Sequence, residues 1–291
     1  MLDYPALQAL VAVIEARGFE RAAKRLNISQ SAVSQRIRQL EFKLGQPVLL
    51  RTSPPRPTDL GQRLANHLQQ VQQLEQALDA EADAHVRLRV RLAVNADSID
   101  TWLAGALASA EVSQRMDFDF VVEDQDVGLK RMKNGEVMAC ICASEQPVNG
   151  GLAQPLGHIR YRALCSPAFK QRYSDWLKRG ALDEIPCLIF SADDRLQHRF
   201  LQAQGMGEPQ YDHVCPSSQG FVNLALAGLG YGMMPELQVR EQLNDGSLCD
   251  LVPGYQMDVP LYWHYWQTES PALAELRQAV VAVARQSLCC D

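Results

Sequence analysis

Residues 19–45, FERAAKRLNISQSAVSQRIRQLEFKLG, decide how this chain is read. Phe19, Ala22, Ala23 and Leu26 fall on one helical face, and the small side chains at 22 and 23 let another helix come close. Asn27-Ile28-Ser29 breaks that pattern. Ser29 is a suitable N-cap, because its hydroxyl accepts from an early backbone N–H. The spacing predicts a second helix from about Gln30 to Leu44, with Val33, Ile37, Leu40 and Leu44 as its apolar stripe and Gly45 as its stop. Two short helices joined by a tight turn, the second with a polar outer face, make a helix-turn-helix. That outer face carries Gln30, Ser31, Ser34, Gln35 and Arg38. These are short or planar hydrogen-bonding groups with few carboxylates among them, a surface suited to the DNA major groove. The competing explanation is an ordinary solvated helix face.

On the N-terminal side, Leu7, Leu10, Val11 and Ile14 predict one more helix, closed by Gly18. On the other side, Pro47–Arg51 reads as a short strand and Thr52–Pro57 as a stiff turn, together a hairpin-like wing. Its prolines lower the entropy cost of ordering the loop. Arg51 and Arg56 there are candidates for phosphate or minor-groove contacts, and Arg36 and Arg38 for base or phosphate contacts. Thr58 then opens a long helix in which Leu60, Leu64, His67, Val71, Leu74 and Leu78 step by fours and threes. That heptad seam predicts pairing with a second copy, so that two heads read two half-sites. His67 is its one polar position and reads as a solvated or satisfied histidine.

From residue 87 strands alternate with helices. Strands are expected at 88–94, 118–122, 137–143, 159–165, 187–191, 211–215, 231–234 and 261–265. Helices are expected near 99–112, 126–135, 168–179, 217–228 and 271–287. This wiring implies a largely parallel sheet in two lobes, with the last segment returning to the first. The expected division is a winged helix-turn-helix at 1–58, a linker and dimerisation helix at 59–86, and an α/β domain at 87–291. Within the last, lobe 1 takes about 87–160 and 267–291, and lobe 2 about 161–266. Ligands of such sheets sit beyond the carboxyl ends of strands. The candidates there are Asn95, Asp97, Ser98, Asp124 and Ser144 from one lobe, and Ser191, Asp193, Ser217 and Ser218 from the other. Backbone N–H groups at Asn95–Ser98 suit a carboxylate, and the aspartates suit a cation. Trp102 reads as core.

Charge agrees with a divided molecule. The 291 residues carry a net −6, yet residues 1–57 hold nine Lys/Arg against four Asp/Glu, leaving +5 there and −11 on the remainder. A basic head on an acidic body indicates a local polyanion contact. Eight cysteines, none before residue 140, lie mostly in apolar runs and read as reduced core thiols of a cytoplasmic protein. Cys140-x-Cys142 is the only tight pair before the tail, and a redox role for Cys140, Cys142 or Cys215 is a rival reading. No membrane span, secretory signal, metal site or cofactor motif is expected. A Gly-rich phosphate loop, G-x-S-x-G and a paired-histidine metal motif are all missing, which argues against an enzyme.

Residues 19–61 resemble the LysR-type transcriptional regulators through Phe19, Ala22, Ala23, Leu26, Ser29, Gln30, Ala32, Val33, Ser34, Ile37, Leu40, Glu41, Leu44, Gly45, Arg51, Thr58 and Gly61. Within that family the chain resembles the ArgP branch, also described as LysG or inhibitor of chromosome initiation. The stretches at 17–23, 30–37, 45–47, 54–58, 93–98, 101–103 and Leu261-Tyr262-Trp263-His264 carry that likeness. Leu50, where phenylalanine is usual in the family, and the proline-rich wing agree with the branch. The resemblance implies a two-lobed effector domain like a periplasmic binding protein and operator or promoter DNA as partner. It also implies a homodimer or homotetramer, contact with RNA polymerase, and lysine or arginine as effector in control of amino-acid export or metabolism. A less specific DNA binder acting on replication initiation, and a regulator with another effector, stay open.

Overall fold

The computed structural model describes residues 2–82, 87–122 and 128–289. Three helices build the head: α1 (Tyr4–Ala16), α2 (Phe19–Leu26) and α3 (Gln30–Leu44). Asp3 caps α1, accepting from the Ala6 N–H, and Ser29 caps α3, accepting from the Ala32 N–H. The helices end at Arg17, Asn27 and Gly45, each in the left-handed conformation. Leu7, Leu10, Val13, Ala22, Val33, Ile37 and Leu40 form the buried centre. The short strands β1 (Leu49–Leu50) and β2 (Arg56–Pro57) pair antiparallel as the wing.

The long helix α4 (Asp59–Ala82) starts where the wing ends. Thr58 ties the two together. Its N–H donates to the Val48 carbonyl, its hydroxyl donates to the Pro47 carbonyl at 3.0 Å, and the same hydroxyl accepts from the Gly61 N–H. Gly61 lies so close to the wing that a Cβ there would sit 1.9 Å from the Val48 carbonyl oxygen.

Part of the expected pairing seam is already covered within the chain. Leu64 and Leu68 are buried in the head's own core, with Leu60 packed at its edge, and His67 lies beside the Tyr4 ring. Leu74 lines a crevice with Met138, Trp263 and Tyr265 of the same chain. Leu78, 64% exposed, and half-buried Val71 lie outside the head's core. A periodic stripe says that a helix face is covered, not which surface covers it. Further along α4, the Asn66 side-chain amide donates to the Lys133 carbonyl at 2.9 Å, clipping the helix to lobe 1.

The rest is one mixed sheet with helices on both lobes. Its strands run β10 (Cys249–Asp250), β6 (Gly151–Cys165), β11 (Met257–Trp266), β5 (Ala139–Cys142), β3 (Leu88–Val94) and β4 (Met116–Val122), and β9 (Gly232–Pro235) also pairs with β6. Only β3–β4 and β3–β5 are parallel within it. A second, parallel pair joins β7 (Cys187–Ile189) to β8 (Asp212–Val214). The expectation of a largely parallel sheet is therefore corrected. β6 and β11 form a long antiparallel pair that spans both lobes, with β5 on one end and β9 on the other. β11 already joins lobe 1 at Tyr262, where it pairs with Cys142.

Lobe 1 carries α5 (Ala96–Ser98), a π turn at Ile99–Leu103, α6 (Ala104–Ser109) and α7 (Gly128–Lys133). The final helix α13 (Pro271–Ser287) returns to pack on α6 and β6. Lobe 2 carries α8 (Pro167–Arg172), α9 (Ser174–Arg179), α10 (Leu196–Ala203), α11 (Ser218–Leu226) and α12 (Arg240–Asn244). Trp102 is buried in the core, as expected, and so are Cys140, Cys142, Cys165 and Cys187, all as free thiols. Among the described residues no helix is long and apolar enough to cross a membrane.

Candidate nucleic-acid interface and interlobe cleft

The head presents α3 beside the wing. Ser29 and Ser31 share a hydrogen bond at 2.9 Å, which steadies the first turn of α3. An open groove runs between α3 and the wing, lined by Gln30, Ser34 and Arg38 on one side and Arg51 on the other. Glu41 holds the wing at its base, accepting from the Val48 N–H at 3.0 Å with Arg51 nearby. Arg56 is exposed on β2, opposite Leu50. Ser31 and Gln35 are exposed on the outer face of α3. Arg36 differs: at 100° per residue it falls near Leu40 on the far flank, away from the groove, and it is half-buried. The head thus gathers seven of its eight candidates on the outer face and wing and sets one apart.

The second site lies between the lobes. β3 runs out at Val94, and the next residues, Asn95, Ala96 and Asp97, line a cleft with about 510 Å³ of empty volume, part of it open to solvent. Asn95 is buried, and both polar atoms of its side chain lack a hydrogen-bond partner among the described residues. The Asp97 carboxylate joins three elements. It accepts from the Tyr161 hydroxyl of β6 at 2.5 Å and from the Ser218 hydroxyl of α11 at 3.0 Å. Burial pushes its carboxyl up to about 6; the two hydroxyl donors oppose that rise, and Asp194 and Asp100 add to it. Asp194, on the lobe 2 side, accepts from the Phe190 and Leu196 N–H groups, each at 2.9 Å. Phe190, Leu196, Phe221, Met233, Met234 and Pro235 give the apolar wall, and Gln238 adds an amide.

Three of the nine cleft candidates, Asn95, Asp97 and Ser218, line it. Five do not. Ser98 is buried, and its hydroxyl accepts from the Trp102 indole at 3.2 Å. Ser144 closes a turn onto Gln146. Ser191 accepts from the Asp193 N–H in a loop where Asp193 is exposed. Ser217 is the exposed N-cap of α11. The ninth, Asp124, lies outside the described residues. Asp194, one position after the expected Asp193, is the lobe 2 carboxylate that lines the cleft. Its signal was the helix start at Leu196, whose N–H needs an acceptor just upstream. Tyr161 gave no signal, because an aromatic inside an apolar strand reads as core.

Residues 5–62 match the family model described as "Bacterial regulatory helix-turn-helix protein, lysR family", and residues 83–285 match "LysR substrate binding domain". The chain belongs to the LysR family. A Pseudomonas fluorescens Pf0-1 relative named HTH-type transcriptional regulator ArgP is 50% identical over 296 aligned residues, covering 99% of each chain. The crystal structure of ArgP from Mycobacterium tuberculosis superposes with a TM-score of 0.87 at 36% identity over the whole of both chains. Full-length LysG from Corynebacterium glutamicum, with bound effector Arg, gives 0.81 at 29% identity over 99% of this chain and 100% of that one. The likeness to the ArgP branch read from the sequence is borne out. This LysR-family protein is a DNA-binding transcriptional regulator whose two-lobed domain answers to a small effector.

Proposed function

We propose that this regulator senses a basic amino acid, arginine or lysine, between its lobes and thereby controls genes of amino-acid export or metabolism. One observation carries the choice of ligand: among the described residues, the ionisable side chains lining the cleft are two carboxylates, Asp97 and Asp194, on opposite lobes. A cationic side chain between them relieves their mutual repulsion. The effector's own carboxylate goes to the backbone N–H groups at the start of the helix after Asn95, with the unpartnered Asn95 amide beside it. Ser218 contributes from lobe 2. A ligand that touches both lobes favours the closed arrangement, and only that difference in affinity can move the DNA-binding equilibrium.

The head reads operator DNA. Gln30, Ser31, Ser34 and Gln35 supply base contacts, while Arg38, Arg51 and Arg56 supply base or phosphate contacts. Arg36, on the far flank, is limited to phosphate. Residues 1–58 form the DNA-binding unit, 59–86 the linker and 87–291 the effector unit, with the first turns of the linker completing the head's core. Two copies pair through the later turns of that helix, around Val71 and Leu78, and the protein acts in the cytoplasm as a dimer or tetramer that engages RNA polymerase. It binds its effector without turning it over.

Thermal-shift screening of the twenty amino acids tests the effector. Arginine or lysine alone is expected to stabilise, by about 2.7 kcal/mol at a hundredfold excess over Kd. Equal stabilisation by neutral amino acids removes the basis for a cation-selective cleft. Competition of promoter fragments against random DNA tests site-specific binding against the less specific, replication-directed alternative.

A further inference from the structure

The two carboxylates of the cleft are held by different kinds of partner. Both oxygens of Asp194 accept from backbone N–H groups, which can only donate. Asp97 instead meets two hydroxyls, Tyr161 Oη and Ser218 Oγ. A hydroxyl can donate to a carboxylate or accept from a carboxylic acid, so the Asp97 setting serves both protonation states. The groups facing Asp97 are Tyr161 from β6, Ser218 from α11, Asp194 from the segment before α10 and Asp100 from the π turn that follows α5. No lysine, arginine or histidine lines the cleft among the described residues. Two negative charges in one half-buried cleft are costly until a cation arrives, and the site with reversible partners is the one that can take up a proton.

We propose that Asp97 is a proton-exchange site: it carries a proton in the ligand-free regulator at mildly acid pH and gives it up when a cationic effector group enters. This rests on the cleft being the effector site, as proposed above. In the exchange, the carboxylic acid releases H⁺ to solvent and the resulting carboxylate accepts from the ammonium or guanidinium, so the charge within the cleft is unchanged. Tyr161 and Ser218 turn their hydroxyl protons toward Asp97 in that state. Neutral amino acids of similar size cannot drive the exchange, which gives the cleft a selectivity beyond its shape. Acidification weakens the response to effector without unfolding the protein.

Calorimetric titration of the full-length protein with arginine tests this, at pH 5.5 and pH 7.5, each in two buffers of different ionisation enthalpy. With Asp97 titrating at about 6, roughly three-quarters of a proton per site is released at pH 5.5 and almost none at pH 7.5. Binding at pH 5.5 is expected to be about fourfold weaker than at pH 7.5. Asp97→Asn, checked for native circular dichroism, binds more weakly at both pH values and shows no dependence of heat on buffer. Asp100→Asn keeps the proton release. Arginine binding with no release at pH 5.5 overturns the exchange and leaves the effector assignment standing. Release that persists in Asp97→Asn also overturns it, by assigning the proton elsewhere. If neither arginine nor lysine binds at either pH, both readings fall.

Discussion

At the scale of single residues, the two kinds of DNA contact proposed for the head fall at different places. Gln30 and Ser34 line the groove beside the wing, whereas Arg56 is exposed on the wing itself. Replacing Gln30 by alanine is expected to cost about 1–3 kcal/mol on the cognate operator and little on random DNA. Replacing Arg56 by alanine is expected to weaken both alike and to reduce the slope of log affinity against log salt by about 0.9. Mobility-shift titrations over a salt series separate the two, and an unchanged slope for the Arg56 variant counts against a phosphate contact. Residues of the recognition helix were legible in the sequence because a helix places its side chains by period alone. Residues of the cleft were less so. Asn95, Asp97 and Ser218 follow from their place at strand ends, but serines at such ends divide between lining a site and capping a helix. Ser217 caps while Ser218 lines, and nothing in two adjacent serines tells them apart before the helix start is fixed.

At the scale of elements, wing and long helix meet in a close backbone approach at Gly61. Gly61→Ala places a methyl group against the Val48 carbonyl oxygen, a backbone atom that cannot rotate away. The head is expected to lose about 1–3 kcal/mol, as overpacked sites do. Chemical denaturation followed on the head gives the value, and a variant as stable as the parent contradicts so close an approach. The long helix also shows the limit of periodicity. Its stripe was legible, but within the chain Leu60 and Leu64 pack into the head's own core, and period alone does not say which surface meets a stripe. β6 shows the same limit in a strand. Its first half, with Pro155 and Gly157, lies ahead of the strand expected at 159–165, and proline cannot donate to a ladder. The structure uses both where the β6–β11 register shifts near Leu261, and Gly157 there takes a positive φ under the Cys289 carbonyl.

At the scale of the whole molecule, the pairing proposed above would use what the head leaves uncovered on α4. Leu78→Asp is expected to lower the association constant of the dimer several-fold without changing the melting of either unit, because Leu78 is exposed within one chain. Sedimentation over a concentration series measures it, and an unaltered dimer directs attention to surfaces of the effector lobes. The basic head on an acidic body was visible from composition, and the two-lobed plan from the alternation of strands and helices. What alternation left unread was the continuity between lobes, since an antiparallel ladder between residues about a hundred positions apart has no local signature. That ladder has a consequence for building chimaeras. The chain leaves lobe 1 along β6 and comes home along β11, with His158 opposite Pro260. Lobe 2 is therefore spliced into lobe 1 rather than appended to it. Grafting a relative's lobe 2 onto this scaffold takes two breakpoints in facing register, and a single crossover leaves the waist with mismatched halves.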